Sequence, residues 1–367
     1  MLKKKCRFVF SGGGSGGHIV PSLAIAKQLG FLLPEAEILF VVSRGPLDAH
    51  IVTHAGFEYT TIYSGKLRRS FSPSDIFYNL CDIFSLCVGF FQSFWLLVSY
   101  RPDVVFSKGG FVAVPVAIAA WILRIPVVAH ESDTYMGLAN KIIQFFAQKM
   151  TYTFPEKSTP KHWLHVGTPL RQELFKASAE SGKKLLNITD EQKIILFIGA
   201  SQGSVQINLL AQSLFAFFKN EYHFVIISGG RNNIPFPKDK GFHLFDFLEA
   251  QDLYNVMEAS DIIISRAGAN SLFEIAAMKK AAIIIPHPQT GGDHQRKNAK
   301  VFEKSGAICV FDPSTPQEEL QFKVKNHILF LKNNPEKQAE YENRISSLGK
   351  KDAAVIVAEL LASYSAV

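Results

Sequence analysis

The sequence has little with which to build a covalent or metal-stapled framework. Its 367 residues include four cysteines, Cys6, Cys81, Cys87 and Cys309, and no CxxC pair or metal-ligand spacing. A disulfide scaffold is excluded, and a reducing compartment is expected. Charged residues are only 19% of the chain against 47% hydrophobic, a balance that excludes disorder and lets each half bury a core. No Asp-x-Asp occurs, so the carboxylate motif usual in metal-dependent sugar-nucleotide enzymes is missing and no metal is expected. Basic and aromatic residues do not interleave as a nucleic-acid groove requires, so no nucleic acid partner is expected. Fine repeats and low-complexity tracts are lacking too.

What is present points to an anionic partner. The formal charge is +7, which suits a phosphorylated substrate or acidic lipid. The N-terminus, MLKKKCRFVFSGGG, has the basic start and short apolar run of a signal peptide, but the run ends in glycines rather than a cleavage site. It reads as the first core strand. Ile83 to Tyr100 carries no charge over 18 residues, the lower limit for a membrane span. Ser85, Gly89, Gln92, Ser93 and Ser99 interrupt it, so the expectation is a core helix with one apolar outer face. Most of the apolar residues around it (Phe71, Ile76, Phe77, Leu80, Phe84, Phe91 and Trp95) are expected inside.

Strand-length apolar runs alternate with helical stretches along the chain. They are Phe8–Ser11, Ile38–Ser43, Val104–Ser107 and Pro126–His130, then Ile194–Gly199, Phe224–Ser228, Asp261–Ser265 and Ala282–Pro286. Without two-residue alternation, they suit parallel strands covered on both faces. Each half opens with a strand, a glycine loop and a helix. The expected fold class is α/β, with two doubly wound Rossmann-like domains facing across a cleft. The expected division is residues 1–165, residues 166–350, and a C-terminal helical piece, 351–367, packing back on the first domain. Val166 to Arg171 reads as the linker, and Lys176 to Lys193 shows no strong core pattern.

Three loops carry chemistry. Gly12 to Gly17 satisfies GxGxxG after a strand, which suits a dinucleotide phosphate. The next strand ends in Ser43-Arg44, where an NAD site would place an acid and an NADP site could use Arg44. Ser265 to Glu274 places a glycine turn before a helix near Asn270. Glu274 could take the two hydroxyls of a ribose, or close a capping box with Ser271. Pro286 to Asn298 follows a buried strand, at the end where ligands bind. Its Asp293, His294, Gln295 and Asn298 suit sugar hydroxyls. Lys66, Arg68 and Arg69, beside the apolar segment, suit an anionic membrane surface. An NADP-dependent dehydrogenase and a non-catalytic membrane-surface module stand as rival readings.

Taken in order, the motifs GGSGGH (13–18), SKGGFVAVP (107–115), HES (130–132), GLANK (137–141), VGTPLR (166–171), GASQGS (199–204), SRAGANSLFEIAA (265–277) and DHQRKNA (293–299) resemble the MurG family of peptidoglycan N-acetylglucosaminyltransferases, two-domain GT-B enzymes. The resemblance spans nearly the whole chain. It implies inverting transfer of N-acetylglucosamine from UDP-GlcNAc to lipid I, giving lipid II at the cytoplasmic face of the bacterial inner membrane. The enzyme would be peripheral, would require no cofactor, and could meet other cell-wall synthesis proteins. Donor contacts are implied at Ser15, Gly16, Asp133, Arg171, Ser201, Gln202, Leu248, Ala269, Glu274 and Gln295. Acceptor contacts are implied at Phe111 and Lys141, with Lys66, Arg68 and Arg69 at the membrane. His18 is the candidate base, Glu131 the alternative, and His18 could instead only orient its loop. The family commonly has Gln-Asn where Ser132-Asp133 stand, Asn at Thr168 and Tyr at Phe111, which puts those contacts in question.

Overall fold

The computed structural model describes residues 5–14, 16–65, 73–154, 160, 163–199, 203–230, 234–288 and 291–365. The chain divides into two compact units, one of residues 1–171 with 351–367, the other of residues 172–350.

In the first unit, strands and helices alternate: β1 (Arg7–Gly12), α1 (Gly16–Leu32), β2 (Glu37–Val42), α2 (Pro46–His54), β3 (Glu58–Thr61), α3 (Pro73–Tyr100), β4 (Val104–Gly109), α4 (Ala113–Ile122), β5 (Val127–Glu131), α5 (Leu138–Ile143), β6 (Lys149–Tyr152) and β7 (Trp163–His165). Every pairing is parallel, in the order β3-β2-β1-β4-β5-β6-β7. Successive side chains in a strand point to opposite faces, and the core divides accordingly. Phe8, Phe10, Phe40 and Phe106 pack on one face, while Val9, Val41, Val105 and Val127 pack on the other. The Phe10 ring lies 5.2 Å from both Phe40 and Phe106.

The second unit repeats the plan with α6 (Ala179–Leu185), β8 (Lys193–Ile198), α7 (Val205–Phe218), β9 (Tyr222–Ile227), β10 (Phe242–Phe245), α8 (Ala250–Ala259), β11 (Ile262–Ser265), α9 (Ala269–Ala277), β12 (Ala281–Ile284), α10 (His294–Lys304), β13 (Cys309–Val310), α11 (Gln317–Asn333) and α12 (Pro335–Ser346). Its parallel sheet runs β10-β9-β8-β11-β12-β13. The last helix, α13 (Ala353–Ser363), returns to the first unit. There Ala354, Val357, Ala358 and Leu361 join the cluster that holds Ile25 and Leu29 of α1.

Three expectations about the chain's organisation need correcting. Val166 to Arg171 is not a linker: Val166, Thr168 and Leu170 are buried, and Val166 N–H donates to the Tyr152 carbonyl at 3.0 Å. The division therefore falls after Arg171 rather than after His165. Lys176 to Lys193 is not coreless, because it holds α6 and the buried Leu186 and Ile188. In α3 the expected majority of inward apolar side chains is reversed. Phe77, Phe84, Phe91 and Trp95 are all exposed, and only 17% of its most apolar window is buried. Phe71 lies outside the described residues, as do the side chains of Ile76 and Leu80.

Leu361→Ala should test the return of the C-terminal helix. Truncating a fully buried leucine costs about 2–5 kcal/mol. All three tryptophans, Trp95, Trp121 and Trp163, lie in the first unit. Urea unfolding followed by tryptophan fluorescence should shift to a lower midpoint. An unchanged midpoint would mean that α13 is not part of that core.

Candidate functional site

In a parallel sheet the loops leaving the carboxyl ends of the strands gather on one edge, and the first unit places its glycine loop there. Gly14 has φ +86°, and a Cβ there would lie 2.7 Å from the Phe111 ring. The loop is held from below by Asp48, a buried acid in the first turn of α2. Its carboxylate accepts from Gly14 N–H at 2.7 Å and from the Ser43 hydroxyl. This arrangement removes the dinucleotide reading. The N–H that would meet a phosphate is occupied, and a carboxylate beneath it would repel one. Arg44 does not await a 2′-phosphate either, since its guanidinium stacks 3.9 Å from the Tyr63 ring centre.

His18 stands in the first turn of α1, half-buried. Burial, then the ammonium of Lys108, hold its pKa down at about 4, partly opposed by Asp133, by a hydrogen bond to the Lys108 carbonyl and by Asp48. Its place at a helix start is thus not the principal cause. Lys108 is buried at the end of β4, where burial pushes its own pKa down to about 8 against the pull of Glu131 and Asp133. It donates to the Ser132 hydroxyl. His130 is buried with its ring nitrogens 2.9 Å and 3.1 Å from the Thr151 and Thr153 hydroxyls, a core histidine.

Glu131 is the second candidate base, and the structure gives it other work. Burial raises its pKa. Its two oxygens accept from Asp133 N–H at 2.9 Å, Gly137 N–H at 3.2 Å and Asn140 Nδ2 at 2.9 Å. These bonds shape the loop that carries Asp133 and leads into α5. On α5, Lys141 donates to the Tyr135 hydroxyl at 2.8 Å. Gly16 and His18 in the first turn of α1, Phe111 just after β4, Glu131 at the end of β5 and Asp133 just after it thus lie at the carboxyl ends of β1, β4 and β5. Ser15, Lys66, Arg68 and Arg69 lie outside the described residues.

The second unit gathers the donor candidates at the equivalent edge. Helix α9 begins at Ala269 with Gly268 at its cap and no side-chain cap bond. Its first-turn N–H groups therefore point outward with the positive end of the helix dipole. This start also removes the capping-box reading, because Glu274 stands six residues past the cap rather than three. Glu274 Oε1 accepts from the buried Tyr254 hydroxyl at 2.7 Å. Gln295 Oε1 accepts from Ala267 N–H at 3.2 Å and His287 N–H at 2.8 Å, which ties the loop after β12 to the start of α9. Asn298 is buried and donates to the Ala267 carbonyl, a structural bond rather than a sugar contact. Leu248 is partly exposed between β10 and α8, beside the exposed Phe247. Arg171 is the last residue of the first unit's opening segment. Ser201 and Gln202 lie outside the described residues.

Sequence reading missed three organising residues. Asp48 lies in none of the motifs. Tyr254 sits in an unremarked helix. Arg266 was quoted within a motif without a role; it is buried, and its guanidinium donates to the Gln206 side chain, the Ile285 and Pro286 carbonyls and the Ser204 hydroxyl, at 2.6–3.0 Å. The signal available for it was a lone arginine at the end of an apolar strand. Among the described residues, no group of three or more His, Cys, Asp or Glu could hold a metal ion.

Comparison with known proteins matches residues 8–152 to the glycosyltransferase family 28 N-terminal domain and residues 194–357 to its C-terminal domain. A protein of Clostridium perfringens (strain SM101 / Type A), named UDP-N-acetylglucosamine–N-acetylmuramyl-(pentapeptide) pyrophosphoryl-undecaprenol N-acetylglucosamine transferase, is 38% identical over 330 residues, 87% of this chain and 89% of its own. The protein of that name from Clostridium botulinum (strain 657 / Type Ba4) is 35% identical over 370 residues, 98% of this chain and 99% of its own. Among solved structures, the MurG of Acinetobacter baumannii superposes with a TM-score of 0.71 at 22% identity, over 98% of this chain and all of that one.

Glu131→Gln should separate an organising carboxylate from a base. The amide presents an NH₂ to at least one backbone or side-chain N–H that the carboxylate satisfied. The variant should lose about 1–3 kcal/mol of stability, read by thermal melting at neutral pH. A melting temperature equal to that of the unaltered protein would show that the three hydrogen bonds do not hold the loop.

Proposed function

The chain belongs to glycosyltransferase family 28, and from that premise we propose that it performs the reaction its relatives are named for. It is a GT-B glycosyltransferase that takes N-acetylglucosamine from UDP-GlcNAc. The acceptor is lipid I, the undecaprenyl-pyrophosphoryl muramyl-pentapeptide, and the product is lipid II for peptidoglycan. The observation that carries this reading is the start of α9. Three elements converge there on what a sugar nucleotide offers: uncapped N–H groups for a diphosphate, Glu274 for the ribose diol, and the Gln295 loop for the sugar.

The chemistry follows from the groups present. The muramyl C4 hydroxyl attacks C1 of the donor, the bond from C1 to the phosphate oxygen breaks, and UDP leaves with inversion to β. UDP is a good leaving group, so one base suffices, rather than the carboxylate pair of a hydrolase. His18 takes the hydroxyl proton. Of the two candidates its ring is held neutral, whereas the Glu131 oxygens already serve three donors. The α9 N-terminus, with Arg171, Ser201 and Gln202, takes the charge of the departing diphosphate. This scheme requires no metal. Ala269 and Gln295 attend the sugar, and Leu248 meets the uracil. Ser15, Gly16 and Asp133 complete the donor contacts, while Phe111 and Lys141 attend the acceptor.

A lipid-linked acceptor calls for association with a membrane, and α3 supplies the surface. By length and composition Phe77–Tyr100 could cross a bilayer. Three contacts support lying on it instead. Gln92 accepts from Tyr63 N–H at 2.8 Å, Ser93 and Leu97 are buried, and a Cβ on Gly89 would collide with the Tyr63 carbonyl. A helix bound to its own domain along one side cannot be surrounded by lipid. On this reading the enzyme is peripheral and works at the cytoplasmic face of the inner membrane, and Lys66, Arg68 and Arg69 supply charge for anionic lipid.

A turnover assay with UDP-GlcNAc and a lipid I analogue tests the reaction directly, and absence of transfer would overturn it. His18→Ala should lower kcat by about 10²–10⁴-fold with UDP-GlcNAc affinity little changed. A base must be unprotonated to act, so a pKa lowered to about 4 in the free protein moves the acid limb of kcat/KM well below the ordinary histidine value. The profile should stay flat from neutral pH through the range where free histidine titrates. A limb centred on that range, or near-normal turnover in His18→Ala, would remove His18 from the role. On membranes, high salt with mild detergent should release the protein. A requirement for complete solubilisation, with one terminus protected from protease, would show a span.

A further inference from the structure

We propose that Tyr254 is a positioning residue for uridine recognition: its hydroxyl fixes Glu274 in the conformation that reads the ribose diol. The inference rests on the assignment of Glu274 to the ribose and adds the residue that makes that assignment work.

Tyr254 belongs to α8, and its side chain is 0% exposed, the largest fully buried side chain among the described residues. A buried phenol must find an acceptor, and it donates to Glu274 Oε1 at 2.7 Å. The ring is held in the core: α8 packs on α6, and Asn255, Val256 and Met257 are buried with it. Glu274, by contrast, is half-exposed on α9, with a long side chain that has several rotamers to lose. Ordering a glutamate on binding forfeits rotamer entropy. The rigid phenol imposes that order before any ligand arrives, which is preorganisation. A carboxylate has about four lone-pair sites, so Oε1 can serve Tyr254 and still accept from a ribose hydroxyl.

The consequence is specific to the nucleotide sugar. Glu274 distinguishes ribose from 2′-deoxyribose through the hydroxyls it accepts, and Tyr254 acts on ligand only through Glu274. Its loss should therefore weaken UDP more than 2′-deoxy-UDP, and should matter only while Glu274 is present. A tyrosine that merely fills space would change both ligands alike, or neither.

The experiment is calorimetric titration of UDP and 2′-deoxy-UDP into the full-length protein and the variants Tyr254→Phe, Glu274→Ala and the double variant. Tyr254→Phe removes one oxygen and keeps the ring, and near-UV circular dichroism checks the packing. Glu274→Ala should weaken UDP by about 10- to 150-fold and narrow its margin over 2′-deoxy-UDP. Tyr254→Phe should weaken UDP by about 3- to 30-fold with a smaller loss for 2′-deoxy-UDP. Adding Tyr254→Phe to Glu274→Ala should cost nothing further. If Glu274→Ala behaves as expected but Tyr254→Phe binds UDP normally, the positioning role is wrong and the ribose assignment stands. The same conclusion follows if Tyr254→Phe costs the same factor in the Glu274→Ala background. If Glu274→Ala leaves UDP affinity and the margin unchanged, the ribose assignment fails and the inference fails with it.

Discussion

A carboxylate buried under a loop must be given hydrogen bonds, and the first unit's site is arranged around two that are. Asp48 takes the Gly14 N–H and the Ser43 hydroxyl. Glu131 takes the N–H groups of Asp133 and Gly137 and the amide of Asn140. The Asp48 bond to Gly14 ties the loop after β1 to α2, the Glu131 bonds close the β5–α5 connection on itself, and the Lys108 donation to Ser132 joins β4 to that connection. The charge of His18 is set by groups that these bonds hold, Lys108, Asp133 and Asp48. Lys108 is buried without a carboxylate within ion-pair distance among the described residues, and its charge is what these neighbours share.

The second unit solves the same packing problem with the opposite sign. Arg266 sits at the end of β11 and donates only to neutral acceptors among the described residues: Gln206, Ser204 and the Ile285 and Pro286 carbonyls. Burial lowers its pKa to about 10, so it remains charged at neutral pH. Close by, α9 begins without a side-chain cap. A guanidinium and an uncapped helix start give these loops a positive potential, as a diphosphate requires. The acid-rich loops of the first unit suit hydroxyl chemistry instead. Two sheets of similar plan thus bury different charges under their loops: a guanidinium in the second unit, two carboxylates and the Lys108 ammonium in the first.

The central strands were legible because burial on both faces demands unbroken apolar runs, and each of the eight expected runs falls on a strand to within one or two residues. The missed strands are β3, β6, β7, β10 and β13, at or near sheet edges, where exposed residues such as Glu58 and Tyr59 dilute the pattern. The glycine loops and the α9 start were legible from turn chemistry. Asp48 and Tyr254 were not, because each acts through a contact 34 or 20 residues distant in sequence, which no local pattern records. The orientation of α3 was misread for a different reason. An uncharged run has the same composition whether it is covered by protein or left bare, and only the small residues Gly89 and Ser93 mark the side that packs.

That bare side has a position as well as a composition. Helix α3 packs on α4, and α4 starts directly after Phe111, whose ring covers Gly14 of the glycine loop. The exposed aromatic face and the loop that holds His18 therefore belong to one packed assembly, joined through two helices rather than through a flexible connection. An acceptor whose lipid tail stays in the bilayer can present only the portion that projects from the surface. A unit that rests on that surface through α3 fixes the height at which its loops meet the sugar. On the proposed function, the aromatic face does more than raise the concentration of enzyme near lipid: it sets the distance between membrane and base, and α4 transmits it.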